Sequence, residues 1–140
     1  MDIGMIGPAA ALGLAASGSA IGTGIAGQAA VGAWKKCYAT NKPAPFMLVA
    51  FSGAPLTQTI YGFLLMLFIS GSQKDPLTLF SAGIFGGLAM GFSAMMQGKV
   101  AAGSADALAD TGKGTANYFM AIGIVETVAL FVMVFLLLML

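Results

Sequence analysis

Glu126 is the residue from which the chemistry of this chain starts. It is the only charged side chain between Gly114 and Leu140, a stretch otherwise made of Ala, Ile, Leu, Val, Phe and Met with few polar interruptions. An ionised carboxylate in such surroundings costs at least about 2.5 kcal/mol to insert into a bilayer, so an acid kept there marks a functional site. Other polar groups share its depth. Counted from the same end of each apolar run, Thr57 and Gln58 lie 11 to 12 residues in from Phe46, Gln97 lies 12 back from Ala109, and Glu126 lies 11 in from Thr115. At the helical rise all four sit about 16 to 18 Å from that end. Tyr61 follows Thr57 by one turn on the same face, with its hydroxyl available to the carboxylate. Pro55 removes a backbone donor nearby and frees a carbonyl as a further ligand. One carboxylate with hydroxyl and amide oxygens is a hard donor set of low charge, which suits a monovalent cation better than Ca²⁺ or Zn²⁺. Na⁺ is favoured, with H⁺ as the alternative, because a proton would need only the carboxylate and would leave the costly amides and hydroxyl without a purpose.

The elements that must hold these groups follow from composition. Of 140 residues, 59% are hydrophobic and only 8% charged, against about 25% charged in soluble chains. Mean hydropathy is +0.93. Uncharged runs of 32 residues (Asp2 to Lys35), 31 (Lys42 to Lys74) and 23 (Asp75 to Lys99) precede the run around Glu126, and each exceeds the roughly 20 residues that cross a bilayer as a helix. The expected fold is an all-α membrane protein of four transmembrane helices, near residues 5–34, 46–70, 77–109 and 115–140. Short polar connections join them: Lys35 to Pro45, Ser70 to Pro76 and Asp106 to Gly114. The start MDIGMIG lacks the basic residues of a signal peptide, so the first helix is expected to stay in the protein.

The chain reads as a single membrane domain made of two tandem hairpins, 1–72 and 73–140. Gly27 and Gly32 match Gly98 and Gly103 at a shift of 71 residues, and at a shift of 70 Thr57 meets Thr127 while Leu56 meets Glu126. Only the second hairpin keeps an acid. Small residues four apart, Gly18 and Gly22 on one helix and Gly83, Gly87, Gly91, Ala94 and Gly98 on the third, form ridges for close helix packing. One such ridge would fit packing within a single chain, but two on alternate helices fit better the tight inner wall of a ring of copies, with the larger Leu, Phe and Met helices outside. Lys35, Lys36 and Lys42 in the first connection, against Lys74 alone in the second, place connections one and three in the cytoplasm and both termini outside.

Several chemistries drop out. Gly22-Thr-Gly-Ile-Ala-Gly27 has the spacing of a dinucleotide loop, but no strand precedes it and no acid follows at the required distance. Neither Gly98-Lys99 nor Gly112-Lys113 completes a phosphate-binding loop. A net charge of +1, without His or a basic run, leaves nothing to bind nucleic acid. The lone Cys37 offers no disulfide and is expected to stay a reduced thiol, Lys99 to snorkel, and Trp34 with Tyr38 to mark the membrane interface.

The motifs Pro55-Leu-Thr-Gln-Thr-Ile-Tyr-Gly-Phe63, Gln97-Gly-Lys-Val-Ala-Ala-Gly103 and Val125-Glu-Thr127 together resemble the proteolipid (K or c-type) subunit of V-type ATPases and ATP synthases, particularly its sodium-translocating branch. Leu56 and Thr59 depart from the Gly residues of that branch. The resemblance implies a rotor ring of identical subunits in which Glu126, Thr57, Gln58, Gln97 and the carbonyl of Ala54 hold Na⁺, while Tyr61 steadies the glutamate. It further implies a stator membrane subunit with a basic residue, a central stalk driven by a soluble head that carries the ATP sites, and a plasma-membrane location. The subunit itself would be non-catalytic and need no organic cofactor. The competing reading from another class is a small multidrug or cation–proton antiporter; its chamber should be aromatic, whereas the only Trp here lies at a helix end. A purely structural membrane protein is the third.

Overall fold

A computed structural model describes residues 2–140. Helix α1 (Ile6–Ala39) is followed by a short α2 (Leu48–Gly53), a 3-10 turn (Ala54–Leu56), α3 (Thr57–Gly71), α4 (Pro76–Thr111) and α5 (Thr115–Met139). Counting α2, the 3-10 turn and α3 as one span, four helices are long and apolar enough to cross a membrane. The all-α expectation holds.

Glycine sets the distance between α1 and α4. A Cβ placed on Gly98 would strike the Gly22 backbone, and one on Gly18 would strike that of Gly91. The ridges expected to line a tight wall therefore pack against each other inside one chain. Gly22 is pressed from two sides, since a Cβ there would also come within 2.9 Å of the Pro55 ring. This close approach lets α1 serve as a spine against which both α3 and α4 lie. Two apolar clusters flank the mid-span layer: Ala30, Cys37, Leu48, Phe51, Leu108 and Ile122 on one side, Ala11, Leu65, Ile69, Met90 and Met133 on the other. Large apolar side chains cover the outside, among them Phe85, Ile124 and Phe135, each more than 60% exposed. Water does not tolerate such a surface, whereas lipid or further protein does.

Helix boundaries differ from expectation at one end of the bundle. Helix α1 runs on to Ala39 rather than stopping at Trp34, and α4 to Thr111, so Lys35, Lys36, Asp106 and Asp110 are helical. Charges end a membrane run but do not end a helix. At about 1.5 Å per residue these two helices exceed the hydrocarbon core by several turns. Buried Cys37 packs the extension against Leu108 and Ala109, Lys36 pairs with Asp110 and lies 3.9 Å from Asp106, and Trp34 Nε1 donates to Pro45 O at 2.8 Å. Helix α4 begins at an Asp75 cap that accepts from the amides of Leu77 and Thr78, with Pro76 in the first turn. It ends at Gly112, whose φ of 65° only Gly adopts at little cost.

Candidate ion site

The second span is broken where the sequence places Pro55. Its missing N–H tightens Ala54–Leu56 into a 3-10 turn, and α3 restarts at Thr57. That restart aims the first two side chains of α3 inward. Thr57 Oγ1 lies 3.0 Å from Ala54 O and 3.1 Å from Gln58 Oε1. Gln58 is fully buried, and its Nε2 donates to Gln97 Oε1 at 2.8 Å. Gln97, also fully buried, donates through Nε2 to Ile122 O at 3.0 Å and to Glu126 Oε2 at 3.1 Å. The other carboxylate oxygen, Glu126 Oε1, accepts from the Tyr61 hydroxyl at 2.8 Å.

All six groups singled out in the sequence thus meet in one chain of contacts across α3, α4 and α5. Helix α4 is held in register by the Gly98–Gly22 contact, directly next to Gln97. Glu126 sits midway along α5 and is only partly buried within the subunit. Thr127, its neighbour, turns its hydroxyl back to Ile124 O and takes no part.

Ser93 was missed. It precedes Gln97 by one turn on the same face of α4, donates to Val125 O at 3.0 Å and lies 3.5 Å from Gln58 Nε2. The i, i+4 spacing was the available signal.

The arrangement is electron-rich. Ala54 O, Thr57 Oγ1 and Gln58 Oε1 are in mutual series at about 3 Å, yet one hydroxyl proton serves both Thr57 contacts. One oxygen pair is therefore always in contact with no proton between its members, a repulsion that a cation relieves. Among the described residues no three His, Cys, Asp or Glu side chains cluster, so a transition-metal site has no ligand set there. Neutral oxygens with one carboxylate match a singly charged hard cation in type and in charge.

Residues 80–139, which contain Ser93, Gln97 and Glu126, match the family model of the ATP synthase C subunit. The K subunit of the A-type ATP synthase of Methanocaldococcus jannaschii is 36% identical over 111 residues, 77% of this chain and 48% of that protein. The chain thus spans about half the length of the curated relative it matches. With four membrane-length helices among the described residues and Glu126 inside the matched region, the chain is similar to the proteolipid C and K subunits of ATP synthases.

Proposed function

We propose that this chain is a rotor-ring subunit of a V- or A-type ATPase or ATP synthase and carries Na⁺ on Glu126. The observation that carries the sodium reading is the proton-poor oxygen cluster of Ala54, Thr57 and Gln58 beside Gln97 and Glu126. A proton carrier needs the carboxylate and its Tyr61 donor but has no use for that cluster. Support for the ring comes from the similarity to ATP synthase C and K subunits and from the apolar outer surface, which neighbouring copies and lipid would cover.

The mechanism follows from charge. An ionised Glu126 without a cation cannot face hydrocarbon cheaply; with Na⁺ bound, the site is neutral and can. Rotation is then permitted only to loaded subunits. A basic residue on a stator subunit would displace the ion at the point of exchange, and a central stalk would link the ring to the ATP-hydrolysing head. The subunit itself does no ATP chemistry. The lysine asymmetry of the connections puts α1–α2 and α4–α5 at the cytoplasmic face of the plasma membrane, next to that stalk, with both termini outside. The two-hairpin organisation, 1–72 and 73–140, is in this reading a duplication that retains one ion site per chain.

Carbodiimide labelling of the purified oligomer tests the reading, since the reagent modifies a protonated acid in an apolar place. Modification confined to Glu126 and suppressed by NaCl is expected. Modification indifferent to NaCl would replace Na⁺ with H⁺, and none at all would remove Glu126 from the mechanism.

A further inference from the structure

Ser19, on α1, is 1% exposed, and its hydroxyl is the one buried side-chain polar atom without a hydrogen-bond partner among the described residues. Such a group is costly to leave unpaired. It is also unusual in this chain: Ser17, Ser52, Ser70 and Ser104 each return their hydroxyl to the carbonyl four residues back, whereas Ser19 does not.

Its position is fixed by the close contacts around it. Gly62 of α3 abuts Ala15, one turn before Ser19, and Pro55 abuts Gly22, nearly one turn after. Halfway between Pro55 and Gly62 lies Gln58. Toward α4, Gly18 abuts Gly91 and Gly22 abuts Ala94, which brackets Ser93. The orphan hydroxyl is therefore level with Gln58 and Ser93, on the buried side of the helix that packs against both α3 and α4.

The hydrogen bonds of the site supply a use for it. Gln58 Nε2 donates to Gln97 Oε1 at 2.8 Å and approaches Ser93 Oγ at 3.5 Å. A cation bound by both Gln58 Oε1 and Gln97 Oε1 must approach Gln97 Oε1 where that N–H now points, and the positive end of the N–H dipole repels it. The amide has to turn. Its two N–H bonds then need two buried acceptors, of which Ser93 Oγ is one. We propose that Ser19 is a positioning residue for cation loading, its hydroxyl accepting the Gln58 N–H that the arriving ion displaces from Gln97 Oε1. The Ser19 proton meanwhile turns to the Ala15 carbonyl, as in the other helical serines. Pairing of the Ser19 hydroxyl is in this way coupled to cation loading.

This inference rests on the sodium reading, and Glu126 labelling separates the two. In the unaltered oligomer NaCl must protect Glu126; if it does not, the sodium reading falls and Ser19 with it. Given that protection, Ser19→Ala should raise the NaCl concentration for half-protection about three- to tenfold, the equivalent of one hydrogen bond. The pH midpoint of labelling without sodium should stay unchanged, because protonation of Glu126 does not require the amide to turn. Thermal stability without sodium should be equal or higher, since the variant removes an unpaired hydroxyl. Ser19→Cys, a weaker acceptor of similar volume, should fall between and carries the same test if the Ala variant does not assemble. Unchanged half-protection would overturn the proposal while leaving the sodium reading intact. A parallel shift of the sodium and pH midpoints would also overturn it, by showing a merely structural effect.

Discussion

The first and second hairpins contribute unequal halves of one site. From the first come Ala54, Thr57, Gln58 and Tyr61, all on the broken second span; from the second come Ser93, Gln97 and Glu126, on two unbroken helices. Aligned at the shifts of 71 and 70 residues, Thr57 meets Thr127, but the other polar side chains of the site face apolar counterparts. Gln97 corresponds to Ala26, Ser93 to Gly22, Glu126 to Leu56, Gln58 to Val128 and Tyr61 to Phe131. The missing groups are the ones that α1 and α5 would need for a second site. Gly22 in place of a serine on α1 does more than leave out a ligand, since it admits the Pro55 ring and the Ala94 carbonyl, the contact that lies against the break in the second span. Within the first hairpin α1 serves as the scaffold, while the broken second span carries the site's side chains.

The strongest test of that inequality exchanges the acids. Glu126→Gln should abolish ion-coupled turnover and carbodiimide labelling while the oligomer assembles, because Gln keeps the volume and one acceptor oxygen, for Gln97, and its N–H can donate to the Tyr61 hydroxyl, but it cannot balance a cation's charge. Adding Leu56→Glu to that variant should not restore sodium-protected labelling, since Ala26 stands where an amide is needed; restored protection would show that the halves are equivalent after all. Next in size is Gln97→Ala. It leaves the Glu126 carboxylate and the buried Gln58 amide each short of a partner, and sodium affinity should fall by about ten- to a hundredfold, the range for losing a group that orients a bound ion. Sodium titration of the labelling rate reads this directly, and an affinity within twofold of the parent would take Gln97 out of the site.

Matched glycines sharpen the comparison further. Gly98 abuts the Gly22 backbone, while its counterpart Gly27 has open space around it within the chain. Gly98→Ala should destabilise the chain by about 1–3 kcal/mol, as overpacking does, and should lower sodium affinity by moving Gln97. Gly27→Ala should be neutral or stabilise by up to about 1 kcal/mol, the gain of Ala over Gly inside a helix. Thermal melts of the two variants in detergent compare them. Equal losses would mean that Gly27 is also tightly covered, by a neighbouring copy.

Much of this site was legible because helical rise is uniform: counting residues from one end of each span brought Thr57, Gln58, Gln97 and Glu126 to one depth, and at that depth their side chains touch in series. The hydroxyls were not legible. Ser93 and Ser19 sit in helices full of Ser, Ala and Gly, where a hydroxyl that bonds its own backbone leaves no trace in the pattern; only contacts separate Ser93 from Ser104, which returns to Val100 O. Pro55 announced a freed carbonyl, but not that α3 would restart at Thr57 and turn that residue inward. The overrun of α1 through Lys35 and Lys36 was hidden because charge marks the edge of the hydrocarbon, and the helix there is held by Cys37, Trp34 and the Lys36–Asp110 pair instead.

The smallest expected effect lies at the far end of the second hairpin, away from the proposed ion site. Asp75 caps α4, accepting from Leu77 N at 3.1 Å, Thr78 N at 3.0 Å and the Thr78 hydroxyl. These bonds, the Thr78 side chain first, favour the carboxylate and hold its pKa below the ordinary value for an Asp. A lowered folded-state pKa means that the capping contribution is fully present above the unfolded-state pKa and is lost as pH falls through the folded one. The melting temperature should therefore drop slightly through that acid window and stay level from there to neutral. Asp75→Asn keeps an oxygen for the amides of Leu77 and Thr78 but cannot ionise. Its melts should lack this acid-dependent step, with a small loss at neutral pH, and an identical acid profile in both proteins would assign the step to another carboxylate. Sodium protection of Glu126 should be the same in both, because the first turn of α4 and the ion layer are separated by more than four turns of helix.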